Sequence, residues 1–179
     1  TESTGWELWF SDGTSAGTRL LVDSKPGRPD GYLEKFTVVG TRVFFEMTDV
    51  DIVWPMPAGR TGYELYSSDG TVAGTRRLTS ETLDNPSNQC WWCYRVQEIR
   101  ALGAGVVARF NTDNGDVWYR SDGTPAGTAS LDPDPADSLP MGSLSVVGDK
   151  AFFSAGTSVT GNEPWVTDGS VAGTRSFGN

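Results

Sequence analysis

The chain has 179 residues, of which 37% are hydrophobic and 11% aromatic, with a formal net charge of −9 and no histidine. That length suits one domain able to bury roughly 70% of its unfolded surface. The acidic balance argues against nucleic acid as a partner, because phosphate binding needs a basic footprint. The missing imidazole excludes Ser–His and Cys–His catalytic pairs and histidine metal sites.

The charges are scattered, so solubility accounts for them better than a cation-binding surface does. No apolar run approaches the ~20 residues needed to cross a bilayer, so membrane insertion is not expected. The 22 glycines and 10 prolines indicate many turns. The chain starts abruptly at Thr1 inside a repeat, consistent with removal of upstream sequence.

That repeat is the organising feature. GWELWFSDGTSAGTRLL from Gly5 is followed by GYELYSSDGTVAGTRRL from Gly62, GDVWYRSDGTPAGTASL from Gly115 and GNEPWVTDGSVAGTRSF from Gly161. Upstream of the last three copies lies a second recurring segment: FTVVGTRVFFEMT (36–48), QEIRALGAGVVARFNT (97–112) and GSLSVVGDKAFFSAGT (142–157). Each reads as apolar strand, Gly-containing turn, apolar strand, with the β-branched and aromatic enrichment of strands. The unit therefore has four strands, which in 36–80 fall at 36–39, 42–48, 63–68 and 74–79. No stretch of ten or more residues shows helical periodicity, so the class is all-β.

The DGT corner closes the hairpin between the third and fourth strands. Asp12, Asp69, Asp122 and Asp168 accept bonds from backbone N–H groups just ahead of them. Gly13, Gly70, Gly123 and Gly169 supply the positive φ of the turn. Three residues before the aspartate stand Trp9, Tyr66 and Trp165, and in the third copy Tyr119, or Trp118 if a one-residue bulge intervenes. An aromatic at one fixed position per unit is expected to wedge between neighbouring sheets. Calcium needs six to eight oxygens, and each corner offers one carboxylate, so these aspartates read as turn residues and no metal or cofactor is expected.

Cys90 and Cys93, in CWWC, are the only cysteines. Zinc would need two further ligands, which no other Cys or His supplies. A disulfide closing a small loop is the preferred reading, with a reduced pair of buried thiols or a redox pair as the alternatives.

Glu7-Leu8-Trp9-Phe10-Ser11-Asp12-Gly13-Thr14, continued by Ala16, Gly17 and Thr18, resembles the bacterial ELWxxDGT repeat. The resemblance covers all four hairpins and, more loosely, the strand pairs between them. It departs at Tyr66 for Trp, at Pro164 for Leu and in the DVWYRSDGT of the third copy. It implies a secreted or surface-associated bacterial protein whose repeats form β-propeller blades, and it implies no reaction and no catalytic residues.

A four-stranded unit repeated in tandem matches a propeller blade on general grounds too. The expected organisation is a half blade over 1–23 and complete blades over 31–80, 94–131 and 142–177. Three blades and a half fall short of the four to eight that close a ring. A larger propeller, or completion by another chain, is therefore expected.

The variable connections 24–35, 49–62, 81–96 and 132–142 all lie on one face, opposite the short turns, and loop-borne function would concentrate there. Trp54, Trp91 and Trp92 sit in these connections, either as ligand-binding aromatics or as caps on the core. The leading functional expectation is a non-catalytic module binding a protein or a glycan through this face. The alternatives are a fragment of a propeller glycosidase, with Asp49, Asp51, Asp84 and Glu98 as candidate carboxylates, and a self-assembling structural protein.

Overall fold

The computed structural model describes residues 6–23, 32–48, 63–79, 95–112, 115–131, 142–170 and 172–177. Their regular structure is all strand: β1 (Leu8–Phe10), β2 (Arg19–Val22), β3 (Tyr32–Val39), β4 (Arg42–Thr48), β5 (Tyr63–Ser68), β6 (Arg76–Arg77), β7 (Val96–Leu102), β8 (Gly105–Thr112), β9 (Gly115–Ser121), β10 (Ala129–Ser130), β11 (Ser145–Val147), β12 (Lys150–Thr157), β13 (Gly161–Thr167) and β14 (Arg175–Ser176). They form one two-stranded sheet, β1-β2, and three four-stranded sheets, β3-β4-β5-β6, β7-β8-β9-β10 and β11-β12-β13-β14. Every neighbouring pair is antiparallel and consecutive in the chain. Among the described residues no helix is long and apolar enough to cross a membrane.

Alternation along the strands explains how these sheets stack. Phe44 and Phe45 are adjacent on β4 and both fully buried, yet they enter different cores because successive side chains leave opposite faces. Phe45, Met47 and Tyr66 pack with Leu8 and Leu21 of the first sheet. Phe44 and Leu65 pack with Val96, Val106, Ala108 and Phe110 of the third. On the other face of that third sheet, Val107 and Trp118 meet Leu144, Ala151 and Phe153 of the fourth. Among the described residues the sheets thus lie in chain order, the inner two covered on both faces by their neighbours.

The aromatic three residues before the aspartate faces the preceding sheet in the last three copies. Tyr66 joins the core with the first sheet, Tyr119 packs against the core with the second, and Trp165 against the core with the third. Trp9 occupies the same position in the first sheet, where no described sheet precedes it, and is 44% exposed.

In the third copy the β8–β9 register runs unbroken with Ala108 opposite Tyr119. Tyr119 is therefore the register equivalent of Tyr66 and Trp165, and no bulge shifts Trp118 into its place. Trp118 lies on the opposite face, fully buried, with its indole Nε1 donating to the Gly142 carbonyl at 3.1 Å. Its bulk fits there because Val107, Ala151 and Ala155 of the same core are small.

Two strands differ from the sequence expectation in their bounds. The first strand of the second sheet begins at Tyr32, four residues before 36, because a bulge between Glu34 and Thr37 breaks the alternation that would have marked it. The fourth strand shrinks from 74–79 to Arg76–Arg77. The Ala-Gly-Thr segment belongs to the turn, as the 3.2 Å bond from Thr75 N to Val72 O shows. The bond from Leu78 N to Leu65 O, 2.8 Å, still holds the chain beside β5.

Candidate functional site

The antiparallel order gives the stack two ends of different chemistry. At one end lie the DGT corners, which satisfy themselves. Asp12 Oδ1 accepts from the Thr14 amide at 2.9 Å and from the Thr14 hydroxyl at 2.8 Å. Ser11 Oγ accepts from Gly13 N at 3.0 Å and pairs with Thr18 Oγ1 at 2.7 Å, while Thr18 Oγ1 donates to the Thr14 carbonyl. The same bonds recur around Asp69 and Asp122, and the backbone bonds recur around Asp168 with Ser170 as the hydroxyl residue. A Cβ on Gly74 or Gly127 would stand about 2 Å from the aspartate carboxylate of its own turn, so the second glycine is required by close approach.

These bonds set the acidity of the four aspartates. The Thr14 backbone and then side-chain bonds hold Asp12 below the ordinary carboxylate range. The Thr71, Thr124 and Ser170 side chains lead the same effect at Asp69, Asp122 and Asp168. Their charge is spent on their own turn. The Ser–Thr pair seven residues apart was missed in the sequence reading, although Ser or Thr precedes the aspartate in every copy.

The corner glycine also receives the sheet before it. The Phe10 ring lies 3.0 Å from where a Cβ of Gly70 would stand, and Arg19 Nη2 donates to the Gly70 carbonyl. Ser67 Oγ donates to the Gly123 carbonyl at 2.9 Å, backed by Arg42 Nη1 at 3.5 Å. At Gly169 the neighbour is the apolar Leu102 side chain, 3.4 Å from where a Cβ would stand. The difference has a sequence cause. The third sheet carries Gly105 at the register position of Arg42 and Arg120 at that of Ser67. A Cβ at Gly105 would meet the Ser121 carbonyl at 2.1 Å, and Arg120 turns back to the Gly127 carbonyl of its own corner. A cleft of 360 Å³ opens there, lined by the 102–106 turn, Arg120, Asp149 and Asp168–Ser170.

The opposite end carries a buried ion cluster between the second and third sheets. Glu46 is fully buried. Its Oε2 accepts from Lys35 Nζ at 2.6 Å, and its Oε1 accepts from Arg95 Nε at 3.3 Å and from Val96 N at 3.1 Å. Arg95 also donates to Glu34 at 2.9 Å and lies over the Tyr63 ring, 4.2 Å from its centroid. Burial pushes the Tyr63 phenol up, opposed by the Arg95 cation.

Lys35 supplies its ammonium from the bulge with φ +58, the single non-glycine positive φ among the described residues. Such a conformation costs on the order of 1–3 kcal/mol and persists only where surrounding contacts hold it. Close by in the fold, Thr79 Oγ1 donates to the buried Glu64 and accepts from Leu65 N at 3.1 Å. Thr37 Oγ1, donating to the Ile99 carbonyl at 3.2 Å, ties β3 to β7 along the same seam.

This cluster forms the base from which two long connections depart. Segment 49–62 leaves the end of β4 and returns at Tyr63, and segment 80–94 runs from Thr79 to Arg95. Trp54, Trp91, Trp92, Cys90, Cys93, Asp49, Asp51 and Asp84 fall in these segments, outside the described residues. Glu98, on β7, is paired with Arg100 and lies 3.9 Å from Arg109. Among the described residues no group of three or more His, Cys, Asp or Glu is placed to hold a metal ion.

No family model matches the chain, and no curated protein matches it. Two crystal structures of puromycin hydrolase, one of them a mutant complexed with PGG, are similar at 16% identity, with TM-scores of 0.48 and 0.49. Each alignment covers 96% of this chain and 24% of that chain, so the chain spans about a quarter of the proteins it resembles. A likeness at this level transfers no activity.

Proposed function

We propose that the chain is a non-catalytic interaction module on a β-propeller scaffold of the ELWxxDGT type, working at the bacterial surface or in secretion. It binds a protein or a glycan through the end where the long connections leave the sheets. One observation carries this reading: the two connections holding Trp54, Trp91 and Trp92 spring from the residues that ring the buried Glu46 cluster. A rigid base beneath variable loops is how a scaffold positions recognition residues. Indoles on such loops supply apolar area with a polar tip, which suits the faces of sugar rings and the centres of protein interfaces. The opposite end offers little by comparison, because its aspartates are already bonded within their own corners.

The test is a glycan array and an affinity capture with the intact protein. Trp54→Ala and the double variant Trp91→Ala/Trp92→Ala are then measured against whatever partner is found. Loss of about thirtyfold in affinity or more is expected for one of them, the size of a centrally placed aromatic. Unchanged affinity in both variants would move the binding face elsewhere.

A further inference from the structure

We infer that the cleft between the third and fourth sheets binds a guanidinium group, carried by a small molecule or by an arginine side chain of a polypeptide. The first two junctions show what meets the corner glycine at this place. A cation of the earlier sheet donates to that glycine's carbonyl: Arg19 to Gly70, and Arg42, with the Ser67 hydroxyl, to Gly123. Gly169 has φ +89, against +85 at Gly70 and +89 at Gly123, so its carbonyl is presented in the same way. It lines the cleft.

The third sheet brings no such cation. Gly105 holds the register of Arg42. Ala129 holds that of Arg19, seven residues past the aspartate, where the other three copies place Arg19, Arg76 and Arg175. Arg120, at the register of Ser67, donates to the Gly127 carbonyl of its own corner. This junction keeps the acceptor and lacks both guanidinium groups that meet it in the other two.

The walls suit the same group. Leu102 beside Gly169 is an apolar flank for the methylenes of an arginine. Asp122, Asp149 and Asp168 line the cleft against Arg120, with Lys150 3.7 Å from Asp149, so the balance of charge favours a cation. The volume of 360 Å³ is at the small end of ligand pockets and suits one side chain. A guanidinium adds a rigid fork of N–H donors, which an ammonium lacks. The site lies at the corner end of the stack and does not rest on the loop-face reading: changes at Trp54, Trp91 and Trp92 leave it intact.

The test is titration of the intact protein, followed by amide NMR, with methylguanidinium chloride and with tetramethylammonium chloride, a cation that has no N–H donor. Methylguanidinium is expected to shift the Gly169, Ser170 and Gly105 amides saturably, half-way at about 1 mM, and tetramethylammonium is not. A blocked tripeptide with arginine at its centre separates the two sources. Equal affinity for the two guanidinium probes assigns the site to small guanidinium compounds, and tighter binding of the tripeptide by about tenfold assigns it to a polypeptide.

Ala129→Arg places a guanidinium at the register of Arg19 and is expected to fill the site from within, weakening methylguanidinium binding at least about tenfold. The amide spectrum itself identifies a variant that has not folded, and the two cations on the wild-type chain then decide. Absence of a saturable shift overturns the inference. So does an equal response to tetramethylammonium, a response to the sodium acetate control at the same amides, or unchanged binding in folded Ala129→Arg.

Discussion

The second-to-third and third-to-fourth sheet junctions have the same register and differ in how they are sealed. In the former, Phe44, Ser67 and Arg42 close around Gly123, and the Glu46 ion cluster fills the far end. In the latter, Gly105 and the turned-away Arg120 leave a cleft, and Trp118 carries the packing. Identical hairpins therefore do not make identical joints. The corner motif fixes each hairpin, while a few side chains on the inner strands decide whether two sheets meet through ions, through an indole or around a space.

The sharpest way to break that contrast is at Trp118. Trp118→Ala removes the largest fully buried side chain among the described residues and leaves a cavity in the core between the third and fourth sheets, so a loss of about 4 kcal/mol is expected in chemical denaturation. Tyr119→Ala, next to it but half-buried on the other face, should cost less. Equal losses would mean that the two faces are not separate cores.

Glu46→Ala comes next. It leaves Lys35 and Arg95, each still about a quarter exposed, with only the Glu34 carboxylate as counter-charge, and leaves the Val96 amide without its acceptor. About 3 kcal/mol is expected, at the low end for breaking a buried ion pair because the cations retain some water. A loss well below 1 kcal/mol would show the cluster to be solvent-bridged.

The smallest effect is one of pH and belongs to the corners. The four aspartates have folded pKa values below the unfolded one. Their contribution is present above about pH 4 and is lost as pH falls through the lowered folded values. Carboxyl NMR titration should place all four midpoints below the ordinary aspartate value, and Asp69→Asn should flatten the acid limb of the stability curve slightly.

What the sequence made legible follows from distance along the chain. The hairpins and their corners were readable because every bond of the corner falls within seven residues. The sheet-facing aromatics were readable because period-two alternation is a local pattern. The start of β3 was not, since a bulge at Lys35 disguises the period. The Glu46 cluster was invisible for a different reason. Its partners lie up to 50 residues away, and Glu34, Lys35, Glu46 and Arg95 in isolation look like ordinary surface charges. The cleft likewise follows from two differences between repeats, Gly105 at the register of an arginine and Arg120 at that of a serine, whose meaning appears only when the sheets are side by side.

The self-bonded corner also bears on how the chain acquires its shape. Because its bonds span so few residues, a hairpin of this kind closes without help from distant parts of the polypeptide, and short-range closure is fast. Emerging from a ribosome, each copy can zip as soon as it is made and wait for the next to arrive. Assembly then becomes a sequence of dockings between finished pieces, and adding or deleting a repeat changes the tally without disturbing the steps.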